Sequence, residues 1–228
     1  MKDTLMQSPD PLETPRLKIV MATIILNITA VMVFSFLPGS DWRTGVLLNG
    51  IDNAIFLFYA IRRRDFLMAH LMVFGLVVGF CELPADAWLV DTTKTLDYSV
   101  GGGPMIWRSP LWMPFAWEVV AVQFATLGLW FSKRIGFFGL LLTGIIGALN
   151  IPFYEEMALR IHWWMYHQCR MFSVTPYYII LGEFGIAVAL AALARMVEKQ
   201  QWVKTIFAGF LGGSGIFLCY AVAYYLVK

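Results

Sequence analysis

The chain has 228 residues, of which 59% are hydrophobic and only 14% charged, and its formal net charge is +2. A soluble domain of this length needs less apolar surface and more charge to stay dissolved. The composition excludes a soluble enzyme, and so small a charge gives no footing for nucleic acid. A protein embedded in a lipid bilayer is what remains.

A polar leader occupies residues 1–16, and residues 17–228 read as a single transmembrane domain. A helix needs roughly 20 mostly apolar residues to cross a bilayer. Seven stretches meet that test, at about 17–38, 44–61, 66–90, 110–132, 135–154, 175–196 and 203–226. The expected fold class is therefore all-α, with seven transmembrane helices. The first stretch is long and carries Asn27 at its centre, which suits a true span better than a cleaved signal. In the second, Asn49, Asp52 and Asn53 fall near mid-depth. The third contains "FCELPADAW", where Glu82 and Asp86 are one turn apart on the same helix face. Pro84, between them, lacks a backbone donor and is expected to kink or open the helix. The fourth carries the pair Trp117-Glu118, and the fifth ends in "LNIPFYEE". The sixth starts at Pro176 and reaches Glu183, and the seventh holds Tyr220 and Tyr224.

Alternating spans put Lys2, Arg16, Lys18, Arg62, Arg63, Arg64, Lys133, Arg134, Arg195, Lys199 and Lys204 on one side. The other side has Arg43, Lys94, Arg108, Arg160, Arg170 and Lys228. The asymmetry predicts a cytoplasmic N-terminus and an outside C-terminus in a multi-pass membrane protein, in the cell membrane if the source is bacterial.

Placed by depth, Glu82, Asp86, Glu118, Glu155, Glu156 and Glu183 all fall in the outer half. A carboxyl at bilayer depth is costly, so it usually faces a protein interior or water. In apolar surroundings such a group can hold its proton at neutral pH and donate it. Glu155, Glu156 and Asp86 lie near span ends, where solvation alone would also explain them. Asp52, Glu82, Glu118 and Glu183 are deeper and are the catalytic candidates, with Asp86 joined to them by its spacing from Glu82. For these the bland explanation is hydrogen bonding between helices. Trp88, Trp112, Trp117, Tyr154, Tyr178 and Tyr220 are the substrate-binding candidates, although Trp and Tyr girdle any membrane interface. Trp117 adjoins Glu118 below that interface, and an aromatic face can stabilise a cation.

Other chemistries find no footing. Cys81, Cys169 and Cys219 are odd in number and lack CxxC spacing, so they set neither a disulfide framework nor a zinc site. His70, His162 and His167 are too dispersed for a metal hydrolase. The last span has no deep lysine for retinal, and the chain has no aspartate-rich diphosphate motif, P-loop or dinucleotide fingerprint. No residue pattern requires a metal or a cofactor, and neither is expected, although an all-carboxylate metal site stays open until the geometry is known.

In order along the chain, "FCELPADAW", "LDYSVGGGPMIW", "MPFAWEVV", "IPFYEEMALRIHWWMY" and "TPYYIILGEF" resemble the membrane-bound carotenoid hydratases of bacteria and archaea. The resemblance covers residues 75–185. It departs from that family at "GGGPMIW" and at Glu183, where an aromatic is expected. The "AWEV" around Trp117-Glu118 is similar to the short Trp-Glu signature of the small seven-span terpene cyclases of fungal meroterpenoid pathways. Both resemblances imply acid-initiated modification of a long isoprenoid inside the bilayer. The residues point the same way: Glu118 or Glu82 as general acid, Trp117 and its neighbours shielding a cation, and Asp86, Glu183 or Asp52 managing the proton. Glu82, Glu118 and Glu183 are expected to line one cavity with Asp86 at its mouth. The partner would be a hydrophobic isoprenoid or lipid entering from the bilayer. A proton- or cation-coupled transporter and a non-catalytic membrane subunit are the alternatives.

Overall fold

A computed structural model describes residues 10–227. The first nine residues of the expected leader, with Lys2, and Lys228 at the other end lie outside the described residues. Seven helices follow one another: α1 Glu13–Phe36, α2 Trp42–Arg63, α3 Phe66–Ala87, α4 Met113–Ile135, α5 Phe137–Ile161, α6 Tyr177–Val197 and α7 Trp202–Val227. All seven are long and apolar enough to cross a membrane.

Three boundaries differ from the sequence reading. Helix α1 begins at Glu13, inside the expected leader, where Asp10 accepts the Leu12 backbone N–H at 2.9 Å and starts the turn. Helix α5 runs on through Pro152 to Ile161 and stops at left-handed His162, whose N–H caps the carbonyls of Ala158 and Leu159. Glu155 and Glu156 are thus inside the helix and not at its end. Helix α3 does not open at Pro84. It continues to Ala87 and then widens into a π-helical turn over Trp88–Thr93. Packed neighbours and a local change of helix type can together absorb the bond a proline removes.

Helix α3 packs along α4 and α7, and α6 packs along α4, α5 and α7, with α1 and α2 on the flank. Small residues set the spacing. A Cβ on Gly75 or Gly79 would strike the α4 backbone at Glu118 or Pro114, and one on Gly209 or Gly213 would strike α3 at Phe74 or Val78. Such small-residue contacts let apolar helices approach closely. Phe56, Met68, Leu71, Phe74, Ile186, Leu190 and Ile216 fill the sealed centre.

The two ends of the bundle are built differently. At the turn end, Arg16 grips Asp65 through hydrogen bonds of 2.9 and 2.8 Å and reaches Asp10 at 3.0 Å. Lys133 joins Glu13 to Glu198, and Arg134 also meets Glu13. At the loop end, three ladders of two residues per strand depart from the all-helical pattern. Strand β1 (Leu96–Asp97) pairs with β4 (Met165–Tyr166), β2 (Met105–Ile106) with β3 (Ser109–Pro110), and β5 (Met171–Phe172) with β6 (Thr175–Pro176), all antiparallel. The β1–β4 pair ties the two long loops together over the helix ends.

Candidate functional site

The loops carry hydroxyl and indole donors down onto buried acids. Asp86 is 4% exposed and accepts the Tyr98 hydroxyl at 2.7 Å and the Ser109 hydroxyl at 2.6 Å. The β2–β3 hairpin positions Ser109, and Tyr98 follows directly on β1. One turn away, Glu82 is fully enclosed and interacts with Asp86 and the Trp117 side chain, yet neither of its oxygens has a well-formed hydrogen bond. Glu155 accepts the Trp164 indole N–H and, at 3.4 Å, the Tyr166 hydroxyl. Glu183 accepts the Tyr220 hydroxyl. Glu155 also interacts electrostatically with Glu183 and Asp86, so these groups form one neighbourhood. None of the acids in it forms an ion pair among the described residues. Burial, and then the charge of Asp86, push the Tyr98 phenol well above the usual tyrosine range. Burial, and then Glu155, do the same to Tyr166. Both loop phenols are therefore held as donors.

A second region lies toward the turn end, against the flank of α2 and α3. A groove of about 490 Å³ is walled by Leu57, Ile61, Met72, Val73 and Leu76, and Phe66 and Trp202 also line it. Leu57, Ile61 and Phe66 are more than half exposed, so the groove opens sideways. Arg64 and Asp65 stand at its turn end, and Glu118 lines it as well. The Glu118 backbone rests against Gly75. By helix rise that level is about 14 Å along α3 from Phe66. Glu118 is 5% exposed and forms no hydrogen bond or ion pair with the described residues. Its oxygens are not among the sealed polar atoms of the interior. What this region offers is a lone carboxyl set into an apolar channel.

The structure thus brings Glu82, Asp86 and Glu183 into one neighbourhood and leaves Glu118 out of it. Consecutive residues on a helix point about 100° apart. Trp117 accordingly reaches Glu82 while Glu118 lines the groove. By helix rise along α3, the Glu118 level lies about 10 Å from Glu82, nearer mid-height than its place in α4 suggests. Asp52 is apart from both regions: it is fully buried, interacts with Asn27 and Tyr154, and has no well-formed hydrogen bond. Trp88 packs edge-on against Phe217 and Tyr224, with ring centroids 5.6 and 5.4 Å away. Trp112 lies against Trp163 and Trp164. The Tyr178 hydroxyl bonds that of Thr95 at 2.6 Å. None of Trp88, Trp112, Trp117, Tyr154, Tyr178 and Tyr220 lines the groove. Among the described residues, no three His, Cys, Asp or Glu side chains are placed to hold a metal ion.

The sequence reading missed Ser109, Tyr98 and Trp164 as partners of the acids, and it missed the groove. The loop "LDYSVGGGPMIWRSP" displays the hydroxyl donors, but no periodicity says that they fold inward. The groove is a shape, made where α2 and α3 turn back on each other, and has no residue pattern of its own.

The fold and these two regions define a seven-helix bundle with an enclosed acid cluster and a lateral apolar groove. Residues 83–227 match the model of a family described as a domain of unknown function (DUF6989), and the chain belongs to that family. The match includes Asp86, Glu118, Glu155 and Glu183 and stops one residue short of Glu82. No curated protein and no solved structure matches the chain.

Proposed function

We propose that the chain is an integral membrane enzyme that modifies a long isoprenoid by acid-initiated cyclisation or hydration, with Glu118 as the general acid. The observation that carries this reading is the unpartnered Glu118 carboxyl in a lateral apolar groove. An acid acts on a lipid only if the lipid can reach it, and of the two buried acids that line this groove, Asp65 is held by Arg16 whereas Glu118 is not. A branched isoprenoid alkene is a suitable base, because protonation gives a tertiary cation. In the proposed step the Glu118 proton moves to one alkene carbon, and the alkene π pair forms the new C–H bond. The cation then closes on a second alkene or captures water. A proton is then lost to water, from carbon after cyclisation or from the added water after hydration, and Glu118 regains its acid form by taking a proton from solvent. The net change is an isomerisation or the addition of one water, and neither needs a redox partner. In this reading the loop-end cluster fixes the bundle around the groove, and Glu82 is a candidate acid that the substrate does not touch.

The proposal places the turn end, with Arg16, Lys18, Arg62, Arg63, Arg64, Lys133, Arg134, Arg195, Lys199 and Lys204, in the cytoplasm. The transporter reading is less well supported. A proton path from Glu82 toward the turn end would have to pass Val78, Phe74 and Leu71, all fully buried and apolar. The test compares, by chromatographic retention and mass, lipid extracts of cells carrying the wild-type chain, Glu118→Gln, or neither. The expected result is a product equal in mass to an isoprenoid of the host, or one water heavier, formed by the wild type alone. Indistinguishable extracts would leave the non-catalytic subunit as the better reading.

A further inference from the structure

The turn-end mouth of the groove carries charge that the rest of the bundle does not use. Arg64 lines that mouth in the left-handed conformation, at φ 51°, with its N–H bonded to the Ala60 and Ile61 carbonyls. The backbone there is fixed while the side chain stays exposed. Among the described residues, Arg62, Arg63 and Arg64 form no ion pair. Asp65 lines the same mouth, but both its oxygens are taken by Arg16, at 2.9 and 2.8 Å. Trp202, 52% exposed and stacked on His70 at 3.8 Å, completes the rim. A cationic rim opens into an apolar trough whose wall runs from Phe66 to Leu76, about 15 Å by helix rise.

We infer that the groove binds a single-chain amphiphile with a phosphate head, the head at Arg64 and the chain running toward Glu118. Charge complementarity argues for the head: an arginine fork without an acid partner suits a phosphate, which it can bind through two parallel hydrogen bonds. Size argues for one chain, since the volume is that of a pocket for one small ligand. The apolar wall beyond the rim offers the chain nothing but hydrocarbon contact until Glu118. The inference rests on the proposed isoprenoid chemistry only for the kind of chain. It adds an orientation, in which the end remote from the phosphate meets the acid and the phosphate stays on the substrate.

The test is equilibrium binding of radiolabelled farnesyl phosphate and farnesol to the full chain in phosphatidylcholine nanodiscs, with no turnover read. Wild type should bind farnesyl phosphate more tightly than farnesol. Arg64→Gln should weaken the phosphate about tenfold and leave farnesol unchanged. Arg64→Lys should fall between, because it keeps the charge and loses the fork. Arg63→Gln, which does not line the groove, should bind as wild type does. Ala69 also lines the groove, so Ala69→Trp fills it and should abolish binding of both probes. Equal binding of the two probes, equal loss of both on Arg64→Gln, or full binding to Ala69→Trp would overturn the inference. So would equal displacement of the probe by two-chain phosphatidylglycerol, which would make the groove an ordinary lipid contact. Because binding is measured without reaction, a failure of the catalytic reading would leave this result standing, and the reverse also holds.

Discussion

The cluster beneath the loops and the groove on the flank hold the same kind of side chain under opposite conditions. In the cluster, Asp86, Glu155 and Glu183 are each met by a hydroxyl or an indole N–H from another part of the chain. In the groove, Glu118 is met by no described residue and faces a channel that opens sideways. A buried acid whose acceptor sites are filled rigidifies its surroundings, whereas one left open beside an apolar channel is available to a ligand. Burial alone therefore does not single out the proposed general acid; what singles it out is the absence of a partner together with access.

The largest expected effect separates the regions by activity. Glu118→Gln should lower product formation by about 10²–10⁴-fold, the usual worth of a general acid. Its thermal midpoint in detergent should stay near wild type, since no described partner is lost. Glu82→Gln should keep most of its activity in the same assay, because the amide stays sealed inside the cluster. Equal losses in the two variants would merge the regions that the geometry separates.

Asp86→Ala should act on stability instead. It leaves the Tyr98 and Ser109 hydroxyls without their acceptor, and an unsatisfied buried group costs about 1–3 kcal/mol. A loss of roughly 3 kcal/mol in all, read as a lowered thermal midpoint in detergent, is the expected outcome. Tyr98→Phe removes one donor and leaves Ser109 in place, so about 1 kcal/mol is expected by the same measurement. A Tyr98→Phe protein as stable as wild type would mean that the loop lies on the cluster without holding it.

A last measurement, which changes no residue of either region, probes how dry the loop end is. Burial pushes the Cys169 thiol up to about 11. Its thiolate fraction near pH 8 is then roughly a hundredfold below that of an ordinary thiol, so alkylation should be slowed by about that factor. Labelling rates of a Cys81→Ser, Cys219→Ser double variant, followed as pH rises, check this.

The helices were legible because a bilayer demands runs of apolar residues, and all seven stand close to where those runs lie. Their ends were less so. Glu13 and Arg16 look like leader, yet Lys133 and Arg134 hold Glu13, and Asp10 and Asp65 hold Arg16, at the turn end of the bundle. Pro152 suggests a stop, but a proline inside a packed helix removes only one hydrogen bond and α5 continues past it. The acids could be listed by depth, but depth says nothing about which way a side chain points. One residue step around α4 turns Trp117 toward Glu82 and Glu118 toward the groove. Tyr98 and Ser109 were hidden for another reason: the β1–β4 pairing that folds their loop inward joins residues far apart in sequence.

The central claim is that an acid in the groove starts the reaction by giving a proton to carbon. Turnover by the purified protein in deuterium oxide, with the product analysed by mass and by the position of the label, tests it most directly. The account predicts one non-exchangeable deuterium, on the carbon that gained the proton. A product formed without that deuterium would contradict it.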